Sequence, residues 1–381
     1  MNLVLAVDAI NPSLTGIGRY TWELATRLPA LLAPEDHLHY IARHRWVNDL
    51  SALRVAAPVR QAVRRSLVRS QLAAAAYAVL WPIVMRYRLS SVTNALYHGT
   101  NFYVPPGTDR SIATFHDLSI YRHPECHPAA RVAFMRRAIP QTLRRSDFII
   151  TVSEFTRREV IEFFGWPADK IKAIPLGVDA TFQPHSASQT HTVLQRLGLQ
   201  HDGYVLCTAT IEPRKNISRL LEAYALLPAA TRARWPLVLA GGEGWNDEAL
   251  QTQIRQAERA GWLRRFGYID EAALPALMAG ARCFAFPSIY EGFGLPVLEA
   301  MASGVPVVTA NVASLPEVAG DCALLIDPYD VDAIHASLDR ALHDDAWRAQ
   351  AAARGTQRAA GFSWDRTAAD TAAVYQQVAA S

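Results

Sequence analysis

Residues 290–299 read YEGFGLPVLE and place two carboxylates, Glu291 and Glu299, eight positions apart around a glycine-rich turn. Pro296 suits the first position of a helix, because the N–H group that it lacks has no intrahelical partner there. The pattern therefore predicts a turn followed by a short helix that Gly304 ends. Glu299 is expected in the first turn of that helix.

This turn is predicted to bind an anion. The backbone N–H groups of Gly292, Phe293 and Gly294 precede the positive end of the predicted helix dipole. Glu291 and Glu299 flank the turn and can accept hydrogen bonds from neutral hydroxyl groups. An anion with hydroxylated groups on both sides describes a nucleotide diphosphate sugar. The alternative interpretation is a surface turn that carries two solvated glutamates.

Length and composition exclude several classes of protein. With 381 residues, of which 50% are hydrophobic and 19% charged, the chain is typical of a soluble globular protein with two or three domains. The net charge of +3 is too small to indicate a nucleic-acid partner. Four scattered cysteines without a CxxC pair argue against a zinc site or a disulfide framework. The N-terminal segment shows no export-signal pattern, so a cytoplasmic location is expected.

A basic stretch has two interpretations. Residues 50–108 contain no Asp or Glu, and seven arginines lie between positions 54 and 88. The apolar run from Leu72 to Met85 is too short to span a bilayer. Residues 54–88 either contact an anionic membrane surface peripherally or form an ordinary helix that packs on a sheet with a solvated arginine face.

Alternating apolar runs and helical patterns predict parallel sheets with helices on both faces. In the first half of the chain, strands are expected at Leu3–Val7, Ala95–His98, Ile112–Phe115, Phe148–Val152 and Ile171–Ile174, with helices such as Arg19–Leu32 and Ala129–Arg145. The pattern restarts with strands at Tyr204–Ala209, Pro236–Ala240, Leu263–Phe266, Cys283–Phe286, Pro306–Thr309 and Ala323–Ile326. Helices are expected between them near 217–227, 247–260, 271–279, 296–303 and 331–343.

The restart predicts an α/β fold of two Rossmann-like, doubly wound domains that face each other across a cleft. We expect an N-terminal domain over residues 1–182, a C-terminal domain over 183–355, and a final helical segment, 356–381, that docks back on the first domain. Ligands of doubly wound folds bind beyond the carboxyl ends of the strands, so motifs that follow strands are the candidates for a site.

The turn at residues 208–216 follows the first strand of the second domain and carries two adjacent cations, Arg214 and Lys215. An arginine can bind two phosphate oxygens at once, and a lysine acts as a compact point charge. Together they are predicted to neutralise the charge that develops on a diphosphate leaving group. Because cations at a helix N-terminus oppose the helix dipole, we favour this interpretation over a solvated basic turn.

Weaker candidates follow other predicted strands. These are the glycine turn with Gly16 and Gly18, then His116, then Gly241, and the pair Tyr268 and Ile269. Glycines let a phosphate or sugar approach the backbone, and a histidine in a cleft can contact a transferred sugar. Each of these signals is unspecific alone. A His-Asp pair at the end of a strand is a structural cap as often as part of a functional site, and for His116 we favour a function.

Two further motifs are interpreted as structural. Ser153 and Asp330 stand where helix N-caps are expected, with a further acceptor contact left open for the Ser153 segment. The triplet Asp330-Val331-Asp332 is interpreted as a helix start rather than a metal site. No other cluster has the spacing of metal ligands, so neither a metal nor a resident cofactor is expected.

With these motifs, the chain resembles the retaining GT-B glycosyltransferases of family 4 over essentially its whole length. The residues that carry the resemblance are Glu291, Glu299 and the turn from Glu212 to Asn216. Supporting features are the Gly16–Tyr20 turn, the His116-Asp117 pair and the apolar strand at 304–308.

The resemblance implies a role for each residue. It assigns the donor-sugar hydroxyls to Glu291 and the ribose hydroxyls to Glu299. Arg214 and Lys215 would bind the diphosphate. Gly16 and the N–H groups near Gly294 and Leu295 would complete that binding site, and His116 would lie close to the sugar.

The turn before Lys215 departs from the family pattern at one position. Many relatives carry an arginine six positions before the lysine, where this chain has Ala209. In this chain Arg214 would take the role of that arginine.

The resemblance also implies a reaction. A metal-independent enzyme would transfer a sugar with retained anomeric configuration, and the Glu-Pro-Arg-Lys-Asn turn resembles that of bacterial mannosyltransferases of surface-polysaccharide assembly. The expected donor is GDP-mannose, and the expected acceptor is a lipid-linked glycan at the cytoplasmic membrane face. Two alternatives remain: a non-catalytic GT-B protein that binds nucleotide sugars, and a GT-B nucleotide-sugar 2-epimerase.

Overall fold

Two parallel sheets, one in each half of the chain, organise the computed structural model. It describes residues 1–14, 16–55, 83–244 and 248–380. Most of the basic stretch 54–88, for which a membrane contact is predicted, therefore lies outside the described residues.

The first sheet has seven strands in the order β3-β2-β1-β4-β5-β6-β7. They are β1 Asn2–Ala6, β2 His37–Ala42, β3 Arg45–Val47, β4 Ala95–Gly99, β5 Arg110–Phe115, β6 Phe148–Thr151 and β7 Ile171–Ala173. All pairs are parallel except β2 with β3, which forms an antiparallel edge. The prediction missed β2 and β3, because the β2 sequence HLHYIA carries two histidines and lacks the apolar run of a central strand.

The second sheet has six parallel strands in the order β10-β9-β8-β11-β12-β13. They are β8 Val205–Thr208, β9 Leu237–Ala240, β10 Leu263–Phe266, β11 Cys283–Phe286, β12 Val307–Ala310 and β13 Leu324–Ile326. All six lie where strands are predicted. The predicted pair of doubly wound α/β domains is confirmed.

Helices cover both faces of the sheets. In the first half they are Gly16–Arg27, Ser119–Arg122, Ala129–Arg145 and Glu154–Phe164, with residues 83–89 also helical. In the second half they are Ala187–Arg196, Ile217–Ala225, Ala229–Arg234, Glu248–Arg259, Leu274–Ala279, Leu295–Ala302, Leu315–Ala319, Val331–His343, Asp345–Ala359 and Trp364–Ala380.

Two helix bounds differ from the prediction, and a third is as predicted. The first helix ends at Arg27 instead of residue 32, because Pro29 has no N–H group and the chain continues as a 3-10 turn, Leu28–Ala30. The helix after β11 begins at Leu295, so Pro296 is its second residue and Glu299 its fifth. Gly304 follows this helix with a φ of 71°, as expected for a helix stop.

The last helix, Trp364–Ala380, packs against the first domain. Its Tyr375 hydroxyl lies 2.6 Å from Nδ1 of the buried His98 in β4. Arg110 at the start of β5 donates to the carbonyl of Val378 at 3.0 Å. The chain thus passes from the first domain to the second after β7 and returns to the first domain before this last helix.

Buried contacts also join the two domains directly at the YEGFG turn. A Cβ atom on Gly292 would lie 1.6 Å from the carbonyl oxygen of His116, so only glycine allows the backbones to approach this closely. The Gly292 carbonyl accepts hydrogen bonds from the Ser153 hydroxyl at 2.6 Å and the Thr156 hydroxyl at 3.2 Å. This contact brings the end of β5 next to the turn that follows β11.

Candidate active site

The turn that carries the two cations is fixed by an asparagine. Pro213–Lys215 forms a 3-10 turn, and Asn216 follows in the left-handed region with a φ of 58°, which asparagine tolerates better than most residues. The Asn216 amide donates to the carbonyls of Pro287 at 3.0 Å and Pro328 at 2.6 Å. The turn after β8 is thereby tied to the segments that follow β11 and β13.

Arg214 holds carboxylates and a carbonyl together. Its Nη1 donates to the Tyr290 carbonyl at 2.6 Å and to Oε2 of Glu291 at 2.9 Å, and its Nη2 donates to Oε1 of Glu212 at 2.8 Å. Its buried Nε has no partner in the described part of the chain. Most of the guanidinium is therefore engaged with the protein itself.

Lys215 shares the same carboxylate. Its Nζ lies 2.5 Å from Oε1 of Glu291 and 5.2 Å from the centre of the Phe286 ring. Burial would raise the pKa of Glu291, but the charges of Arg214 and Lys215 outweigh it and lower that pKa to about 2. Glu291 is consequently ionised at neutral pH although only 8% of the residue is exposed.

The formal charges of Glu212, Arg214, Lys215 and Glu291 cancel. A diphosphate that enters this site does not meet two unpaired cations, as the sequence alone suggested. Arg214 uses both terminal nitrogens on protein acceptors, whereas Lys215 has one hydrogen-bond partner among the described residues and three N–H groups. Of the two cations, Lys215 is the one whose remaining N–H groups can donate to a phosphate.

The predicted anion turn is largely covered by protein. Gly292, Phe293 and Gly294 are buried, Leu295 is half-buried at the start of the eight-residue helix, and Gly292 faces the first domain. The Ser314 hydroxyl lies 2.9 Å from the Glu291 carbonyl and 2.8 Å from the Phe293 carbonyl, which pins the turn from its other side. The turn is a rigid support for Glu291, held between the two domains.

Glu299 stands apart from this cluster and faces the first domain. Burial raises the pKa of its carboxyl to about 8; Arg19 opposes the rise and Asp179 adds to it. No described residue donates a hydrogen bond to this carboxyl group. Its acceptor oxygens are therefore available to a ligand.

His116 is held in one tautomer. Its Nε2 lies 2.8 Å from the Thr100 carbonyl, which can only accept, so Nε2 carries the proton. Burial lowers the pKa of His116, which keeps the ring neutral at neutral pH. Nδ1 is then an acceptor, and the His116 backbone contacts Gly292 beside Glu291.

The remaining predicted residues fall into three groups. Gly16 has open space where a Cβ would stand, so its backbone is accessible to a ligand. By contrast, a Cβ on Gly18 would lie 2.9 Å from the Ala9 carbonyl oxygen, and one on Gly241 would lie 2.2 Å from that of Ala209. These two glycines are explained by close backbone packing. Two other positions, Tyr268 and Ile269, follow β10; the tyrosine is 54% exposed and the isoleucine packs partly against the core.

Sequence reasoning missed Tyr290, Arg19 and Glu271. The Tyr290 hydroxyl accepts from the Leu118 N–H at 3.0 Å and donates to the Glu159 carboxylate, so it anchors the Glu291 turn in the first domain. Arg19 and Glu271 form an ion pair across the cleft at 3.1 Å. The available signal was position: Arg19 lies in the glycine motif, and Glu271 follows strand β10.

The described residues contain neither a cluster of metal ligands nor a membrane-spanning helix. Within residues 1–14, 16–55, 83–244 and 248–380, no three His, Cys, Asp or Glu side chains gather as a metal site would require. None of the helices in this part of the chain has the length and apolarity needed to cross a bilayer.

Models of two known protein families match the two halves of the chain. A family model described as Glycosyltransferase Family 4 matches residues 14–182, and one described as Glycosyl transferases group 1 matches residues 194–358. The O-antigen chain mannosyltransferase B of Escherichia coli is 42% identical over 99% of this chain and 100% of its own length. The serotype-specific mannosyltransferase WbdA of Escherichia coli is 34% identical over 71% of this chain and 34% of its own length.

A solved structure shares the architecture. The sucrose-phosphate synthase of Thermosynechococcus elongatus superposes with a TM-score of 0.73 at 19% identity, covering 100% of both chains. At this identity the likeness concerns the fold, and it confirms the predicted GT-B arrangement of two Rossmann-like domains.

The geometry predicts different costs for removing the two cations. Arg214→Met leaves the buried Glu212 without its partner and Glu291 with one partner fewer, so we expect a loss of about 3–5 kcal/mol in the free energy of unfolding. Lys215→Met is expected to cost less, because Arg214 remains on Glu291. Urea unfolding of both variants measures the difference, and equal or reversed losses would contradict this account.

The raised pKa of Glu299 predicts a pH-dependent stability. Below a pH of about 4.5 the folded and unfolded chains both bind this proton; between there and pH 8 the unfolded chain releases it first, so stability is lost as the pH rises. Relative to wild type, Glu299→Gln should therefore gain stability from pH 5 to pH 9 in urea unfolding. The control is Glu258→Gln, because the Glu258 carboxylate of the wild-type protein pairs with Arg265 outside this region. Parallel pH profiles for wild type and Glu299→Gln would refute the assignment.

Proposed function

The chain belongs to the glycosyltransferases of group 1 and family 4, and we propose that it transfers mannose from GDP-mannose to a growing surface polysaccharide. The observation that carries the choice of sugar is the 42% identity, over the full length of both chains, with a mannosyltransferase of O-antigen chains. Glu291, Arg214 and Lys215, which are among the residues that carry the resemblance, meet in one buried cluster, and this supports a catalytic rather than a purely binding role.

In the proposed reaction, the bond between the anomeric carbon and the diphosphate breaks, the acceptor hydroxyl oxygen bonds to the same face of that carbon, and the hydroxyl proton passes to the departing diphosphate oxygen. Lys215 is the residue that stabilises the leaving diphosphate, because it has N–H groups free to turn toward it. Arg214 positions Glu291, and Glu291 accepts hydrogen bonds from the sugar hydroxyls. We propose that these charges and the N–H groups near Leu295 replace a metal ion in the reaction.

His116 and Glu299 bind the two ends of the donor in this proposal. Nδ1 of His116 accepts a hydrogen bond from a hydroxyl of the transferred sugar, since Nε2 is committed to Thr100. Glu299 holds the ribose hydroxyls, and its lack of a protein partner leaves its oxygens available. Gly16 provides accessible backbone on the opposite wall, while Tyr268 and Ile269 border the base.

The proposed acceptor is a lipid-linked oligosaccharide or polysaccharide precursor, met by a cytoplasmic enzyme that binds the inner face of the cytoplasmic membrane peripherally. The described end of the basic stretch supports this location. In the helix at residues 83–89, Ile83 is 61% exposed and Tyr87 is 77% exposed, beside the exposed Arg86 and Arg88. Exposed apolar and basic side chains on one short helix suit an anionic lipid surface.

A thermal-shift comparison tests the donor. GDP-mannose and GDP are expected to raise the melting temperature of the wild-type protein, because they bind the folded state, whereas UDP-glucose and dTDP-rhamnose are expected to leave it unchanged. A larger shift with a UDP or dTDP sugar would overturn the choice of GDP-mannose. Analysis of GDP-mannose incubated without acceptor distinguishes a transferase from a 2-epimerase, which would produce an isomeric nucleotide sugar.

Transfer kinetics test the proposed chemistry. Lys215→Met should lower kcat by about 10²–10³-fold, the usual effect of removing a group that stabilises developing negative charge. Glu258→Gln serves as the control and should leave kcat unchanged. The rate should persist in excess EDTA, and nuclear magnetic resonance of the product should show a retained anomeric configuration. A Lys215→Met enzyme with wild-type kcat, loss of activity in EDTA, or inversion would each contradict the mechanism.

A further inference from the structure

A carboxylate of the second domain reaches across the cleft mouth to three donors of the first. Glu271 follows β10; its Oε1 accepts from the Leu14 N–H at 3.2 Å, and its Oε2 lies 3.1 Å from Arg19 and 2.8 Å from Arg54. We call Glu271, Leu14, Arg19 and Arg54 the clasp. Neither the family comparisons nor the sequence motifs assign it a role.

The clasp lies beside the carboxyl group that we propose for ribose binding. Arg19 is near enough to Glu299 to oppose the rise in its pKa, and it also lies 3.8 Å from Asp179. Arg54 is held with its guanidinium 5.0 Å from the centre of the Trp22 ring, which orients it toward Glu271. The first-domain half of the clasp is thus pre-organised at the nucleotide end of the cleft.

The other contacts between the domains differ in kind. At the YEGFG turn they are buried, and they consist of backbone packing on Gly292 and hydrogen bonds from hydroxyl groups. Near that turn, the Glu317 carboxylate accepts from the backbone N–H groups of Glu154 and Phe155 at 2.8 and 3.0 Å and so caps a first-domain helix. The buried contacts on Gly292 are weakly screened by salt.

The clasp consists mainly of ion pairs between partly exposed side chains. The exposed fractions of the side chains are 21% for Arg19, 22% for Glu271 and 35% for Arg54. Exposed ion pairs weaken as ionic strength rises, and they exchange partners without breaking packed backbone contacts. Of the two sets of interdomain contacts, the clasp is the one that can open while the other holds.

We propose that Glu271 and Arg19 are positioning residues for glycosyl transfer. Their ion pair closes the nucleotide end of the cleft, and breaking of the pair opens that end for donor exchange. The inference rests on the proposed function for its catalytic consequence. With the clasp closed, water is kept from the bound donor, so the sugar passes to the acceptor rather than to water. Loss of the clasp should therefore raise hydrolysis relative to transfer.

The first test needs no donor. Amide hydrogen exchange of the full-length, ligand-free protein is measured for wild type, Glu271→Gln, Arg19→Gln and the control Glu258→Gln. Both clasp variants are expected to exchange faster over residues 16–27 and 268–279, while the control matches wild type. Raising the salt to about 0.5 M should speed exchange in the same segments of wild type but not of Glu271→Gln. Unchanged exchange in the clasp variants would overturn the proposal.

The second test measures the catalytic consequence with GDP-mannose and acceptor. Glu271→Gln should raise the ratio of donor hydrolysis to transfer by about tenfold, the effect of losing one to two charge-assisted hydrogen bonds. The double variant with Arg19→Gln should show no further rise, because the two residues act through one contact. A lower kcat with an unchanged ratio would overturn the positioning role. If wild type transfers no sugar, the proposed function fails, while hydrogen exchange still decides whether the clasp exists.

Discussion

The Glu291 carboxylate, held between Arg214 and Lys215, is the interaction on which the site depends. A buried carboxylate is costly unless it is paired, and here two cations keep it ionised with a pKa of about 2. The pairing ties the turn after β8 to the turn after β11, and Tyr290 and Gly292 extend that second turn into the first domain. One charge cluster thus supports both the arrangement of the strands' carboxyl ends and the approach of the two domains.

This arrangement separates two roles that the neighbouring cations share in the sequence. Arg214 is committed to Glu212, Glu291 and the Tyr290 carbonyl, so it supports the site from within the protein. Lys215 keeps N–H groups that a phosphate can use. Because the cluster is neutral in formal charge, we propose that a diphosphate is bound by Lys215 changing partners and by the N–H groups of the short helix, rather than by an excess of positive charge.

Much of the fold could be predicted because parallel strands buried on both faces appear as continuous apolar runs. All six strands of the second sheet lie at predicted positions, whereas the edge strand β3 and its neighbour β2 were missed, because positions at and next to a sheet edge tolerate polar residues. The motif residues Glu291, Arg214 and Lys215 could be named from the sequence, but their mutual pairing could not. Contacts such as Glu271 with Leu14 join residues 257 positions apart, and only the packing of the two domains brings them together.

The most direct measurement for the central claim is a crystal structure of the protein with GDP. We expect Nζ of Lys215 to move to within hydrogen-bond distance of a phosphate oxygen, while Arg214 keeps its bonds to Glu212 and the Tyr290 carbonyl. Glu299 should then contact the ribose hydroxyls. A structure in which Arg214 leaves Glu212 to bind the diphosphate, or in which the diphosphate lies away from Lys215, would contradict it.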